Sequence, residues 1–309
     1  MKAASEGKSY AFTTEMKDLR TLLGLPSETI LLMIHADDAG LCRSENRATM
    51  HCLEQGSVNS CSVMVNCPGF EEMAAYLSSN PHFDHGIHLT LTCEWHSFRF
   101  GPVLPAREVP SLVDERGHFF KDRKTLLRSA RPKEVRKEVQ AQIEKGLKAG
   151  LQPSHIDSHM YSMGISEEIF SVYREAGEEY DLPVLLNGRL LSEISGLEPS
   201  RVLSSRDFEI PHIHYGDFGD FKEGKLAAFY RDTLKSLSPG LHMVLIHPAY
   251  DDDEMKEVTR DHPNFGSAWR QVDTDFFSSE ECEVLLKEKK VRLITWGEIR
   301  SLLKSSRSA

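Results

Sequence analysis

Short apolar segments alternate with amphipathic segments along almost the whole chain, and this rhythm constrains the fold more than any other feature. The segment 29–38 is mostly apolar, has the length of a strand, and is stopped by Asp and Gly. Comparable segments recur at 58–66, 82–92, 153–160, 183–187, 241–250 and 291–296. Strands that alternate with helices favour a parallel sheet with helical crossovers. About seven strands predict a single-domain α/β fold, a closed or nearly closed (β/α) barrel.

The predicted domain covers residues 16–309, and residues 1–15 are predicted to form a flexible tail. In the first helix after the first strand, Ser44 is the predicted N-cap and Gly56 the C-terminal stop. Residues 188–221 are predicted to be irregular.

Two further segments interrupt the rhythm of strands and helices. Residues 93–131 are rich in proline and mixed charges, and residues 250–268 are polar, with an acidic run at 251–254 that we expect to be solvated. Long loops in compact domains are commonly functional. Both segments are therefore predicted to lie over the mouth of the barrel and to shape substrate access.

Charge and hydropathy exclude several classes of partner. The formal net charge of -10 argues against a nucleic-acid or anionic-membrane surface. No apolar stretch approaches the roughly 18 residues of a membrane helix. The polar first fifteen residues lack the apolar core of a signal peptide, so a cytoplasmic location is expected. Assembly into a homo-oligomer stays open.

Acidic and histidine side chains stand at the ends of four predicted strands. They are Asp37, Asp38, His88, His155, Asp157, His159 and His247. The carboxyl ends of the strands in a β/α barrel converge on the face where active sites are built, so we expect these side chains to meet. Carboxylate oxygens and imidazole nitrogens suit a divalent metal, with zinc, magnesium and manganese all open.

Asp37 and Asp38 point in opposite directions in an ideal strand, but both can reach one centre where the chain turns. One carboxylate can then hold the metal while the other accepts a proton. The plainer interpretations are a turn or helix cap for adjacent aspartates, and a hydrogen-bonded core role for a single strand histidine.

Four ordered motifs resemble those of the YdjC-like (ChbG/YdjC) carbohydrate deacetylase family. They are HADDAG at 35–40, GIHLTLT at 86–92, PSHIDSH at 153–159 and VLIHPA at 244–249. The resemblance spans roughly residues 16–303. It implies a TIM-like, somewhat distorted β/α barrel, a divalent metal such as Mg or Zn, and a small carbohydrate substrate. The implied reaction removes an N-acetyl group from an amino sugar or a short chitin-type oligosaccharide.

The resemblance also implies roles for individual residues of this chain. The implied metal ligands are Asp38, His88 and His159. Asp37 is the implied base that acts on the water nucleophile, and His247 the implied acid or oxyanion donor.

His155 and Asp157 are the implied partners that orient the ligands. Two departures from the family pattern suggest a different substrate pocket. Met160–Met163 replaces further histidines, and Ala39 replaces an aromatic residue.

Four residues are candidates for binding the substrate: Trp95, Tyr161, Trp269 and Arg270. Trp95 could instead be a core residue. Trp269 and Arg270 could instead orient a catalytic acid. Two other functions remain open at the level of sequence. One is a metal hydrolase of another bond, such as a phosphoester or cyclic amide, although no Lys/Arg phosphate cradle stands beside the motifs. The other is a sugar-binding or regulatory protein without turnover.

Overall fold

The computed structural model describes residues 18–203, 207–260, 262 and 264–307, so the predicted tail at 1–15 lies outside the described residues. The strands are Ile30–Ala39 (β1), Ser60–Val63 (β2), His85–Leu89 (β3), Ile156–Ser158 (β4), His212–His214 (β5), Gly240–Ile246 (β6) and Arg292–Leu293 (β7). The helices are Leu19–Leu22 (α1), Arg43–Glu54 (α2), Phe70–Ser79 (α3), Arg123–Ser129 (α4), Pro132–Lys148 (α5), Glu167–Glu179 (α6), Gly188–Ser195 (α7), Pro199–Val202 (α8), Phe218–Lys222 (α9), Leu226–Ser236 (α10), Asp253–Val258 (α11), Ser267–Phe277 (α12), Glu280–Glu288 (α13) and Trp296–Arg307 (α14).

The strands form one parallel sheet in the order β4-β3-β2-β1-β6-β5, and β7 pairs with β1. Helices surround this half-barrel, which confirms the prediction of a single α/β domain with a distorted barrel. Within the described residues the path ends at β4 and β5, so the barrel is open rather than closed. The predicted strand at 183–187 is reduced to one bridge, in which Val184 pairs with Ile156 of β4.

The apolar core lies largely between the sheet and its helices, because alternate residues of each strand face outward. Helix α5 shows the close fit. Val135, Val139 and Ile143 are buried four residues apart on one of its faces. At Gly146 a β-carbon would stand 2.6 Å from the Cδ1 atom of Ile87, so glycine lets the helix approach β3. Among the described helices, none has the length and apolarity needed to cross a bilayer.

The start of α2 corrects two predictions. Cys42 is the N-cap and Ser44 lies inside the first turn, so the predicted N-cap was wrong. The Ser44 backbone N–H donates to Glu254 Oε2 at 2.7 Å, and its hydroxyl donates to Asp252. These acids were predicted to be solvated, but they satisfy free donors at a helix N-terminus. Gly56 follows the C-cap with φ 81°, as the predicted stop requires.

The segments predicted to be irregular contain regular structure. Residues 188–221 include α7, α8, β5 and most of α9, and α11 lies within 250–268. The side chains of Asn187, Asp217 and Asp252 cap α7, α9 and α11 by accepting from backbone N–H groups. The prediction failed here because these short helices begin at polar residues that are equally typical of turns.

Candidate metal centre

Three of the residues that stand at strand ends in the sequence meet at the carboxyl edge of the sheet. Asp38 Oδ1 lies 3.3 Å from His88 Nε2 and 3.0 Å from His159 Nδ1. All three side chains are buried, and their potential ligand atoms lie within 4.8 Å of one another. We call Asp38, His88 and His159 the ligand trio. The expected convergence is present, and their role as ligands remains a prediction.

The backbone at the end of β1 explains how two adjacent aspartates can both face the carboxyl edge of the sheet. The register against β2 shifts between Ala36 and Ala39, and Asp38 adopts φ 65°, in the left-handed region. The turn directs Asp38 towards His88 and His159, while Asp37 Oδ1 lies 3.3 Å from His35 Nε2. Such conformations cost free energy and cluster at functional sites. The local backbone therefore separates the environments of the two acids.

His88 is oriented by Asp157, which is its register partner on β4. His88 Nδ1 lies 2.8 Å from Asp157 Oδ1, which leaves Nε2 to face Asp38. The other oxygen of Asp157 lies 3.0 Å from His35 Nε2. This placement fits the orienting role implied for Asp157. His35 was not predicted, although its two-residue spacing from Asp37 places both on one strand face.

His159 begins a 3₁₀ turn, His159–Gly164, in which Met160 and Tyr161 have φ values of 52° and 53°. Its Nε2 lies 2.9 Å from Glu94 Oε2, and its ring stacks on Trp95 with the centroids 5.7 Å apart. Sequence reasoning missed Glu94, because no periodicity marks a residue in an irregular segment.

Arg270 holds the second oxygen of Asp38. Its Nη2 donates to Asp38 Oδ2 at 2.8 Å, Nη1 donates to Glu45 Oε2 at 2.8 Å, and Nε donates to the Phe265 carbonyl. Arg270 is 1% exposed. Its burial and its contact with Asp38 favour the alternative in which Arg270 orients an acid, and substrate contact by Arg270 stays a prediction. Glu45 was not predicted, and no local pattern in α2 identifies it.

Three other candidates for substrate binding are also buried. Trp269 is fully buried, with ring centroids 5.4 Å from Phe221 and 4.4 Å from Phe265. Trp95 and Tyr161 are 1% and 7% exposed. The burial of Trp269 favours a packing role against Phe221 and Phe265, and substrate contact by Trp269 stays a prediction. For Trp95 burial favours the core alternative, with the ring as a wall behind His159.

His247 stands at the end of β6, with its Nε2 3.7 Å from Asp37 Oδ2. Its backbone N–H donates to Asp273 Oδ2 at 2.9 Å, and the Tyr230 hydroxyl donates to Asp273 Oδ1 at 2.5 Å. Asp273 was not predicted, because its place on α12 gives no local signal. The arrangement fixes the backbone of His247 while its ring faces Asp37.

His155 lies deeper in the half-barrel than expected. Its ring stacks on Trp296 with the centroids 4.9 Å apart, and its Nδ1 lies 2.9 Å from Ser154 Oγ. A second possible metal group comprises His35, His155 and Asp157. His155 therefore groups with His35 and Asp157 and not with the ligand trio. A direct orienting contact with the ligand trio, as the resemblance implied, is not what the geometry shows.

The buried carboxylates of the centre favour positive charge on the groups beside them. Burial by itself raises the pKa of Asp38, but the charges of His159 and Arg270 hold it well below its usual range. Burial lowers the pKa of His159, yet Glu94 and Asp38 raise it to about 9. In the same way Asp157 and Asp37 raise the pKa of His88 despite its burial. The carboxylates thus hold protons on imidazoles that would have to be neutral to bind a metal.

The two segments predicted to cover the mouth both reach the centre. Glu94 and Trp95 contact His159, and Phe265 lies beside His247 with ring centroids 4.6 Å apart. These contacts show that both segments reach the carboxyl face of the sheet. Their influence on substrate access remains a prediction.

Comparisons with known proteins agree with this architecture. A family model described as YdjC-like protein matches residues 31–288. The carbohydrate deacetylase of Thermus thermophilus is 30% identical over 93% of this chain and 99% of its own. The chitooligosaccharide deacetylase of Proteus mirabilis is 30% identical over 73% of this chain and 84% of its own. An Enterococcus faecalis structure, named for cellobiose-phosphate cleavage, covers 88% of this chain and 99% of its own with TM-score 0.72 and 24% identity, which shows a shared fold.

Proposed function

Because this chain belongs to the YdjC-like protein family, we propose that it is a metal-dependent carbohydrate deacetylase. The substrate class is an N-acetylated amino sugar or a short oligosaccharide of such sugars. The names of the Thermus and Proteus relatives support this class of reaction and substrate. The observation that carries the proposal is the buried ligand trio with Asp37 and His247 beside it.

The trio fits a divalent metal. One carboxylate oxygen and two imidazole nitrogens face a common centre, and a second carboxylate accompanies the far nitrogen of each histidine. Such pairs fix the tautomer of a histidine ligand. Two imidazoles and one carboxylate suit Zn²⁺ better than Mg²⁺, which prefers oxygen ligands. A bound metal of this kind lowers the pKa of water towards about 7 and polarises a carbonyl oxygen.

Asp37 and His247 would carry the proton transfers of amide hydrolysis. Asp37 is partly exposed to the cleft and would accept a proton from the attacking water. The water oxygen bonds to the acetyl carbon, the C–N bond breaks, and the amine leaves with a proton. Burial is the main cause that lowers the pKa of His247, to about 4, so its ring is neutral at pH 7. A neutral ring still has one N–H to donate to the oxyanion or to the leaving amine.

An acetate-release assay on a panel of N-acetylated sugars and short chitin-type oligosaccharides tests the proposal. The expected result is acetate release that stops on chelation and returns when Zn²⁺ or Mg²⁺ is added. Sugar binding without acetate release would instead support a binding protein. Hydrolysis of phosphoesters or cyclic amides alone would assign the centre to another bond.

A further inference from the structure

We propose that Glu94 is a positioning residue of the candidate metal centre, which holds His159 so that its Nδ1 faces the metal. The inference rests on the proposed function, because it concerns the same centre. It adds a residue that lies outside the four sequence motifs and outside the ligand trio. It also makes the segment that covers the mouth part of the metal centre.

The two ring nitrogens of His159 have different neighbours. Its Nδ1 lies 3.0 Å from Asp38 Oδ1, so this nitrogen faces the other two members of the trio. The opposite nitrogen, Nε2, lies 2.9 Å from Glu94 Oε2. A neutral imidazole carries one N–H, and a carboxylate accepts but does not donate. With a metal bound and the ring neutral, Glu94 would hold the remaining proton on Nε2, and the lone pair of Nδ1 would face the metal.

The same arrangement occurs at the other histidine with the two nitrogens exchanged. His88 presents Nε2 to Asp38, and its Nδ1 lies 2.8 Å from Asp157 Oδ1. Each imidazole of the trio thus has a carboxylate on its far side. Asp157 lies on β4, whereas Glu94 lies in the segment 93–131 that was predicted to cover the mouth. This correspondence favours the same orienting role for both acids.

Glu94 is held by a well-connected stretch of chain. The neighbouring Cys93 N–H donates to the Phe120 carbonyl at 2.9 Å, and Arg99 Nη1 donates to the Trp95 carbonyl at 3.0 Å. Trp95 stacks on the ring of His159 at an interplanar angle of 23°. Two consecutive residues therefore fix this ring, one at its edge and one at its face. Displacement of the segment would release His159 from both.

The test measures Zn²⁺ affinity of the metal-free full-length protein by competition with a chromogenic chelator. Glu94→Ala is expected to weaken binding 10–100-fold, the usual effect of losing a partner behind a metal ligand. Glu94→Gln should weaken binding less, because its amide oxygen still accepts from Nε2–H. Glu115→Gln is the matched control, since it removes the same charge from an exposed position of the same segment.

An NMR spectrum of the imidazole N–H protons in the zinc-loaded protein gives a second readout. The His159 Nε2–H signal should be resolved in the wild type and in Glu115→Gln, and lost in Glu94→Ala. Glu94→Ala with wild-type affinity and an unchanged signal would overturn the inference. If Glu94→Ala does not fold, Glu94→Leu replaces it, because leucine keeps the bulk of the side chain but accepts no hydrogen bond, and wild-type affinity with an unchanged signal in Glu94→Leu would overturn the inference. A wild-type protein that binds no divalent metal would overturn the proposed function itself.

Discussion

Asp37 and Asp38 are adjacent in the chain, yet the structure gives them different partners. Asp38 is buried between two histidines and Arg270, whereas Asp37 lies between His35 and His247. A carboxylate that is paired with several cations stays ionised and suits metal binding. A carboxylate at the cleft with fewer partners suits proton transfer.

Replacement of the two aspartates and His247 tests this division. Asp37→Asn and His247→Ala should fold, retain metal and lose turnover, whereas Asp38→Asn should lose metal as well. For His247→Ala the expected loss is about 10²–10³ in kcat, the effect of removing one oxyanion donor in another hydrolase. Metal content and deacetylation rate of the three purified variants are the measurements. A metal-free Asp37→Asn protein would mean that the two aspartates have the opposite roles.

The inner face of the sheet depends on a glycine in β3. A β-carbon at Gly86 would stand 2.5 Å from the Nε2 and Cε1 atoms of His155. The ring of His155 has little room to move, because it lies between Trp296 and His35. Gly86→Ala should therefore lower the free energy of unfolding by about 1–3 kcal/mol, the usual cost of overpacking.

Urea denaturation of Gly86→Ala, His155→Ala and the double variant provides the check. The double variant should lose less stability than the two single changes added together, because removal of the ring frees the space for the methyl group. Strict additivity would show that the strain of Gly86→Ala arises elsewhere.

Strands β5 and β6 carry a stack of three histidines on one face. The ring of His242 lies between those of His212 and His214, at centroid distances of 4.7 and 5.4 Å. Burial, together with His242, His212 and Arg189, lowers the pKa of His214 from 6.5 to about 4. Below pH about 6.5 the unfolded chain binds a proton that the folded protein does not. Stability should therefore fall as the pH is lowered from about 6.5 to about 4.

His214→Asn should reduce this loss, because the variant has no imidazole to protonate at that position. The measurement is the free energy of unfolding of wild type and variant at pH 7 and pH 5, with the exposed His82→Asn as control. An equal loss of stability in wild type and His214→Asn would show that His214 does not contribute to the acid response.

The sequence predicted those parts of the centre that follow from strand geometry. Asp38, His88 and His159 meet because parallel strands end at one edge of the sheet, and apolar runs before each motif identify those strands. The supporting contacts follow no such rule. Glu94 is 65 residues from His159 and Arg270 is 232 residues from Asp38. Such contacts depend on loop paths and helix packing, which local patterns do not specify.

At the scale of the whole molecule, metal binding should be coupled to thermal stability. A ligand that binds only the folded state stabilises it by about 2.7 kcal/mol at a hundredfold excess over its Kd. Chelation should therefore lower the Tm of the wild type, and added Zn²⁺ should restore it. Asp38→Asn is the control and should respond to neither treatment. A wild-type Tm that is insensitive to both would argue against a resident metal.

The ligand trio and the guanidinium that holds Asp38 come from different parts of the chain. His159, the last member of the trio, lies near the middle of the chain, and Arg270 follows about 110 residues later. At translation rates of roughly 5–20 residues per second, Arg270 joins the chain about 5–20 s after His159. Asp38 and Glu45 have no guanidinium to neutralise them during that interval. A nascent chain that ends before α12 therefore contains all three donor residues but lacks the guanidinium that holds Asp38 Oδ2.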